Sequence, residues 1–228
     1  MKTFEEIEAL AIEKKGGADQ LTALLAQNDY MKSPEELEKV GDDRWLAMFT
    51  KTIFQAGFSW KVIEKKWPGF EEAFEGFDTA RLAFLPDEAF EELLHNKDIV
   101  RNAMKIKSVQ ANAVFLRDLA QEHGSASKFF AEYPVEDQIG LMELLKKRGS
   151  RLGGNSGQYA LRFMGKESFI LSRDVVNALI RENVIGNESM SKKNLNAIQA
   201  AFNHWRSTSG RSMNEISRIL AFSVGPSH

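Results

Sequence analysis

Apolar residues return every three or four positions along almost the whole chain. Trp45, Met48, Phe49, Ile53 and Ala56 form one such stripe. Ile99, Ala103, Ile106, Val109, Ala113 and Leu116 form a second, and Leu195, Ile198, Ala201, Phe202 and Trp205 a third. That spacing matches the 3.6-residue turn of an α-helix. Strict apolar–polar alternation, the mark of a half-buried strand, is absent. The nearest approach to a strand is Ser168-Phe169-Ile170-Leu171, which is too brief to build a sheet. Pro34, Pro68 and Pro86 stand where helices would begin, because the first turn needs no N–H from proline. Ser33-Pro34-Glu35-Glu36 reads as a capping box, with a hydroxyl at the N-cap and a carboxylate three residues on. The pattern predicts an all-α fold of about a dozen short helices.

Composition narrows the function classes. The 228 residues, 43% hydrophobic and 27% charged, suffice for one large core or two small lobes. There is no cysteine, which removes disulfides, thiol nucleophiles and thiolate metal sites. The four histidines, His95, His123, His204 and His228, show no i, i+3 or i+4 pairing, so a histidine metal site has little support. The N-terminus MKTFEEIEALAIEKK is acidic and amphipathic, unlike a secretory signal. No apolar run approaches the roughly 20 residues that span a bilayer. The expected address is the cytoplasm. The net charge of -2 points to neither nucleic acid nor membrane. Its distribution says more. Residues 1–40 hold nine acidic and five basic residues, whereas residues 97–166 hold twelve basic and seven acidic. The second stretch, with Arg101, Lys105, Lys107, Lys146, Lys147, Arg148 and Arg151, is either a set of solvated helix faces or a local phosphate-binding face.

The segment from Leu144 to Gly157, LLKKRGSRLGGNSG, sharpens that choice. An apolar helix ends in three cations, which suits the negative end of its dipole. Four glycines then fall within nine residues, and a new amphipathic stretch begins near Ser156. Glycines leave backbone N–H groups uncovered, and the free N–H groups of the following helix can take a phosphate. That is the physics of a helix-hairpin-helix, which grips a DNA backbone without reading sequence. A plain helix–helix turn is the other reading, although one glycine would suffice for it. A second segment, Phe54-Gln55-Ala56-Gly57-Phe58-Ser59-Trp60-Lys61-Val62-Ile63, clusters aromatics around a helix break at Gly57. A tryptophan there packs in a core or forms one wall of a pocket that stacks a planar base.

Gln55-Ala56-Gly57-Phe58-Ser59-Trp60, followed by Phe70-Glu71-Glu72-Ala73-Phe74 and Phe77-Asp78, resembles the opening of the 3-methyladenine DNA glycosylase I family. Ile99-Val100-Arg101-Asn102, Lys105-Ile106 and Asn112-Ala113 are similar to its next stretch. Leu144 to Gly165, with Tyr159, resembles its helix-hairpin-helix. The resemblance runs from about Asp43 to Gly165, roughly half the chain. Beyond Gly165 the chain is closer to the wider helix-hairpin-helix glycosylase superfamily. There Ile170-Leu171-Ser172-Arg173-Asp174-Val175-Val176 falls where many members carry a catalytic aspartate. The resemblance implies two helical lobes with a base pocket in the cleft between them, a flipped-out damaged nucleotide and hydrolysis of its N-glycosidic bond. It places Trp60 on the base-stacking tryptophan and makes Phe58 and Tyr159 either pocket or lobe-interface residues or, as an aromatic more commonly is, core-packing ones. Lys147, Arg151, Gly153, Gly154, Asn155 and Ser156 would hold DNA phosphate.

The chain departs from the family at three points. The family's pocket glutamate, eight residues before this tryptophan, is Thr52. Threonine can hydrogen-bond a base edge but cannot stabilise positive charge as a carboxylate does. The best register at the superfamily's aspartate gives Ser172, with Asp174 two residues later, as a catalytic acid or as a solvent-facing helix N-terminal residue. The family's zinc, bound by cysteine and histidine near the termini, has no cysteine here; the C-terminal helices through Trp205 and Ile216 to Phe222 would hold the termini instead. No lysine lies in Gly154 to Arg162, where bifunctional members place a Schiff-base nucleophile. The expectation is an N-terminal helical extension over residues 1–42 and a glycosylase-like domain over 43–228. That domain would act as a monomeric, monofunctional glycosylase on alkylated, cationic purines in double-stranded DNA, without cofactor or membrane. The alternative is a non-catalytic DNA-binding or damage-recognition protein on the same fold.

Overall fold

A computed structural model describes residues 2–27 and 30–224, so His228 lies outside the described residues. Among those residues there are helices and no strands. In chain order the α-helices are α1 (Phe4–Lys15), α2 (Ala18–Ala26), α3 (Pro34–Glu38), α4 (Asp42–Gln55), α5 (Trp60–Ala73), α6 (Thr79–Leu82) and α7 (Asp87–His95). They continue with α8 (Ala103–His123), α9 (Ala126–Glu132), α10 (Gln138–Arg148), α11 (Asn155–Met164), α12 (Arg173–Arg181), α13 (Lys192–Ser209) and α14 (Met213–Phe222). The all-α expectation holds. The capping box at Ser33 is complete: Ser33 Oγ accepts from Glu36 N, and Glu36 Oε2 accepts from Ser33 N at 2.8 Å.

One helix start is corrected. Pro34 opens α3 and Pro86 is the N-cap of α7, but Pro68 lies inside α5. A proline there removes one helical hydrogen bond and crowds the preceding turn. The neighbouring Gly69 shows what this stretch accommodates: a Cβ on it would stand 2.7 Å from the Asp98 carbonyl oxygen. Burial on either side, at Ile63 and Phe70, carries α5 across the defect.

The chain forms two compact units. One comprises Lys32–Tyr133 and Leu141–Lys166. Its core is aromatic: Trp45 stacks on Phe130 at 4.1 Å, and Trp67 lies nearly parallel to both Phe70 and Phe77. Burying side chains of this size contributes about 2–3 kcal/mol each. Asp42 ties α4 to α9 by accepting from the Ala126 and Ser127 backbone N–H groups. The other unit comprises Met1–Met31, Pro134–Gly140 and Glu167–His228. In it α1 buries Phe4, Ile7 and Ala11 against α13 and α14, with Phe4 6.1 Å from Trp205 and Arg211 paired to Glu8. The brief strand-like run at 168–171 forms no regular element, and side chains of α14 satisfy its backbone. Ser168 N donates to Asn214 Oδ1, Ile170 N donates to Ser217 Oγ, and the Ser217 hydroxyl donates back to Ile170 O.

Candidate DNA-binding and base-stacking site

Three pieces of the unit built on Lys32–Tyr133 and Leu141–Lys166 meet at one pocket: the end of α4, the first turn of α8 and the hairpin between α10 and α11. The pocket, about 370 Å³, is lined by Ile53, Ala56, Lys105, Arg151, Gly153, Gly154 and Ser156.

The hairpin is built around a buried peg, Leu152, only 2% exposed. Two glycines make room for it. A Cβ at Gly149 would lie 2.7 Å from Leu152 Cδ1, and one at Gly157 would lie 2.4 Å from the Leu152 carbonyl oxygen. Both distances are below any real Cβ contact, so these glycines are demanded by packing. Gly153 is constrained too, with Lys146 Cγ at 2.7 Å. Gly154 is different. Its φ of −114° suits any residue, and a Cβ there would meet nothing within 4 Å. It is the N-cap of α11, and no side chain caps that end. The first-turn N–H groups therefore have no cap from the N-cap residue, and uncapped N–H groups of this kind can receive an anion. Arg151 adopts a left-handed φ of 63°, which turns the chain between the two helices.

Asn112, on α8 and 1% exposed, clamps this hairpin. Its Nδ2 donates to Ser150 O at 3.0 Å and its Oδ1 accepts from Ser150 N at 2.7 Å. The sequence placed Asn112 in a resembling stretch without a role. Its partner is 38 residues away, which no local pattern encodes.

The cations divide by employment. Arg148 makes two hydrogen bonds to Glu122, at 2.7 and 2.8 Å. The pair raises the Arg148 pKa and lowers that of Glu122, chiefly through those hydrogen bonds. Lys147 is exposed, as is Arg151. Lys105 is buried, and its Nζ donates to Ala56 O at 2.6 Å and Phe54 O at 3.3 Å.

Beside the hairpin, Gly57 (φ 78°) ends α4 and lets α5 begin at Trp60. Trp60 is 45% exposed, so it is not a core tryptophan. Tyr159 and Phe163 meet it edge-on, at 5.5 and 5.9 Å with interplanar angles of 88° and 85°. Angles near 90° are the edge-to-face arrangement that aromatic rings favour. Phe163 was not anticipated; its signal is the i+4 spacing from Tyr159 on one helix. Phe58 is 43% exposed and lies beneath the Lys105 ammonium at 4.8 Å.

Thr52 is not brought to the pocket lining. It is 3% exposed, and its hydroxyl donates back to Met48 O and Phe49 O, both at 3.1 Å. Its single proton is thus engaged by its own helix. Asp174 belongs to the other unit. It is exposed in the first turn of α12, two residues after the N-cap Ser172, whose Oγ accepts from Val175 N. Among the described residues no group of three or more acidic or histidine side chains is arranged to hold a metal, and no helix is long and apolar enough to cross a membrane.

Comparison with known proteins fits this geometry. The methyladenine glycosylase family model matches residues 37–143. DNA-3-methyladenine glycosylase 1 of Escherichia coli K12 is 34% identical over 59 residues, 26% of this chain; the chain covers only about a third (32%) of that relative. Among solved structures, 3-methyladenine DNA glycosylase I of Staphylococcus aureus superposes with a TM-score of 0.51 at 22% identity, over 68% of this chain and 91% of its own. The 8-oxoguanine glycosylase/lyase of Methanocaldococcus jannaschii, solved with DNA containing 8-oxoguanine, superposes with a TM-score of 0.55 at 15% identity, over 95% and 96%. The chain thus resembles the methyladenine glycosylase family over residues 37–143 and shares an all-α fold with these solved structures.

Proposed function

We propose that this protein is a monofunctional DNA N-glycosylase of base-excision repair. It would act as a cytoplasmic monomer on double-stranded DNA, flip out an alkylated, cationic purine of the 3-methyladenine kind and hydrolyse its N-glycosidic bond. The observation that carries this reading is Trp60. It is half-exposed at the start of α5, braced by Tyr159 and Phe163, in the same unit as a hairpin whose helix N-terminus is uncapped.

Each part has a physical role. The hairpin N–H groups of Gly154, Asn155 and Ser156, with Lys147 and Arg151 beside them, would receive the DNA backbone. The pocket lined by Lys105 and Arg151 suits a phosphate and would repel a cationic base. The base therefore belongs on Trp60, with Phe58 flanking. A 3- or 7-alkylated purine is already positively charged and its bond to C1′ is weakened. Water oxygen bonds to C1′, the C1′–N bond breaks, the electron pair neutralises the departing base, and the water's proton leaves to solvent. Flipping, stacking and exclusion of bulk water supply acceleration without a carboxylate. Thr52, whose proton is held by its own helix, could offer a base edge only its lone pairs.

Trp60→Ala tests this reading. Removing an exposed ring should leave the melting temperature nearly unchanged while release of alkylated bases from methylated duplex is lost. Release at the wild-type rate would remove Trp60 from the site.

The engaged hydroxyl of Thr52 and the exposed position of Asp174 favour a second reading, a damage-recognition protein without catalysis. It would bind duplex DNA with a clear salt dependence and release no base.

A further inference from the structure

Lys105 does more than line the pocket. The two carbonyls that its Nζ joins, Phe54 O and Ala56 O, belong to the end of α4 and the turn that follows. The same ammonium stands 4.8 Å from the centre of the Phe58 ring and 5.7 Å from that of Phe54. The turn it grips also holds Ala56 N to Thr52 O at 3.2 Å. Gly57 carries a left-handed φ, and the next hydrogen bond is Phe58 N to Gln55 O at 3.1 Å. Two residues beyond Phe58 comes Trp60, so the direction of this turn sets the direction of the tryptophan. An ammonium accepted by two carbonyls and lying over two aromatic rings is a strong, short-range clamp.

We propose that Lys105, in its charged form, is a positioning residue that fixes the Ala56–Phe58 turn and thereby the angle at which Trp60 meets a base. The proposal rests on the excision reading for its activity consequence, and on geometry alone for the turn.

The clamp is sensitive to pH. Burial first, and the nearby Arg151 guanidinium second, hold the Lys105 pKa below the ordinary lysine range. Arg151 is the charged group that the hairpin brings to the shared pocket. The end of α4 contributes Ile53 and Ala56, and α11 contributes Ser156, none of which titrates near neutrality. The clamp is therefore intact below the Lys105 pKa and is lost as pH rises through it, earlier than for an exposed lysine. Loss of the charge removes the attraction for the rings and the charge-assisted hydrogen bonds.

The test compares wild type, Lys105→Met and Lys105→Arg. Release of 3-methyladenine from methylated duplex is followed across pH, and amide hydrogen exchange of residues 54–60 is followed in the free proteins. Lys105→Met should lose roughly a hundredfold in kcat, show no alkaline limb and exchange the Phe58 amide faster. Lys105→Arg, which stays charged, should keep the neutral-pH rate and the slow exchange, and should lack the alkaline fall of wild type. An arginine variant with the wild-type alkaline fall, or a methionine variant with wild-type release and exchange, overturns the proposal. If wild type itself releases no base, the excision reading fails, and the exchange comparison still decides the role of Lys105.

Discussion

At the scale of single residues, the glycines of the hairpin separate packing from binding. Gly157→Ala forces a Cβ against the Leu152 carbonyl oxygen and should destabilise the protein by about 1–3 kcal/mol, read from denaturant unfolding. Gly154→Ala meets open space at an ordinary φ. It should leave unfolding unchanged and weaken duplex binding, because only a DNA backbone would need that space. Equal destabilisation by both would make the hairpin a plain turn. The cations give a second contrast. Lys147→Ala should reduce the slope of log affinity against log salt by about one. Arg148→Ala should change it less, since Glu122 already holds that charge. The aromatic and glycine signals at Trp60 and in 149–157 were legible in the sequence because each is local. Lys105 and Asn112 were not, because their partners lie 38 to 51 residues away.

At the scale of elements, helical periodicity carried the reading well. In the first stripe Trp45, Phe49 and Ile53 are buried, Met48 is half-buried, and only the terminal Ala56 is exposed. Pro68 misled because a proline marks a helix start only when no surrounding burial carries a helix through it. Residues 168–171 were legible as too brief for a sheet, but not as held by Asn214 and Ser217, because a helix side chain leaves no trace of its distant backbone partner. The α8-to-hairpin connection offers a direct check. Asn112→Ala removes both hydrogen bonds to Ser150 and leaves part-buried backbone groups unpaired. It should cost about 2–4 kcal/mol and accelerate hydrogen exchange at Ser150 relative to α10. Wild-type exchange at that amide would show the hairpin to be held by other means.

For the whole molecule, the absence of cysteine means that no thiolate clamp joins the termini. Within one unit, α1 instead packs on α13 and α14 through Phe4, Ile7 and Arg211–Glu8. Deleting residues 1–17 should therefore lower stability by about 3–5 kcal/mol, from the burial lost at Phe4 and Ile7; an unchanged melting temperature would make α1 an appendage. The residues proposed for the chemistry, Trp60 and the hairpin, lie in the other unit. Side-chain exposure, which tells a stacking tryptophan from a core one, appears only in the folded chain. The central claim is base excision, and the most direct measurement is chromatography of free bases after incubating wild-type protein with methylated duplex DNA. Excision predicts released 3-methyladenine or 7-methylguanine that depends on Trp60. Retained, salt-sensitive DNA binding with no base released would contradict it.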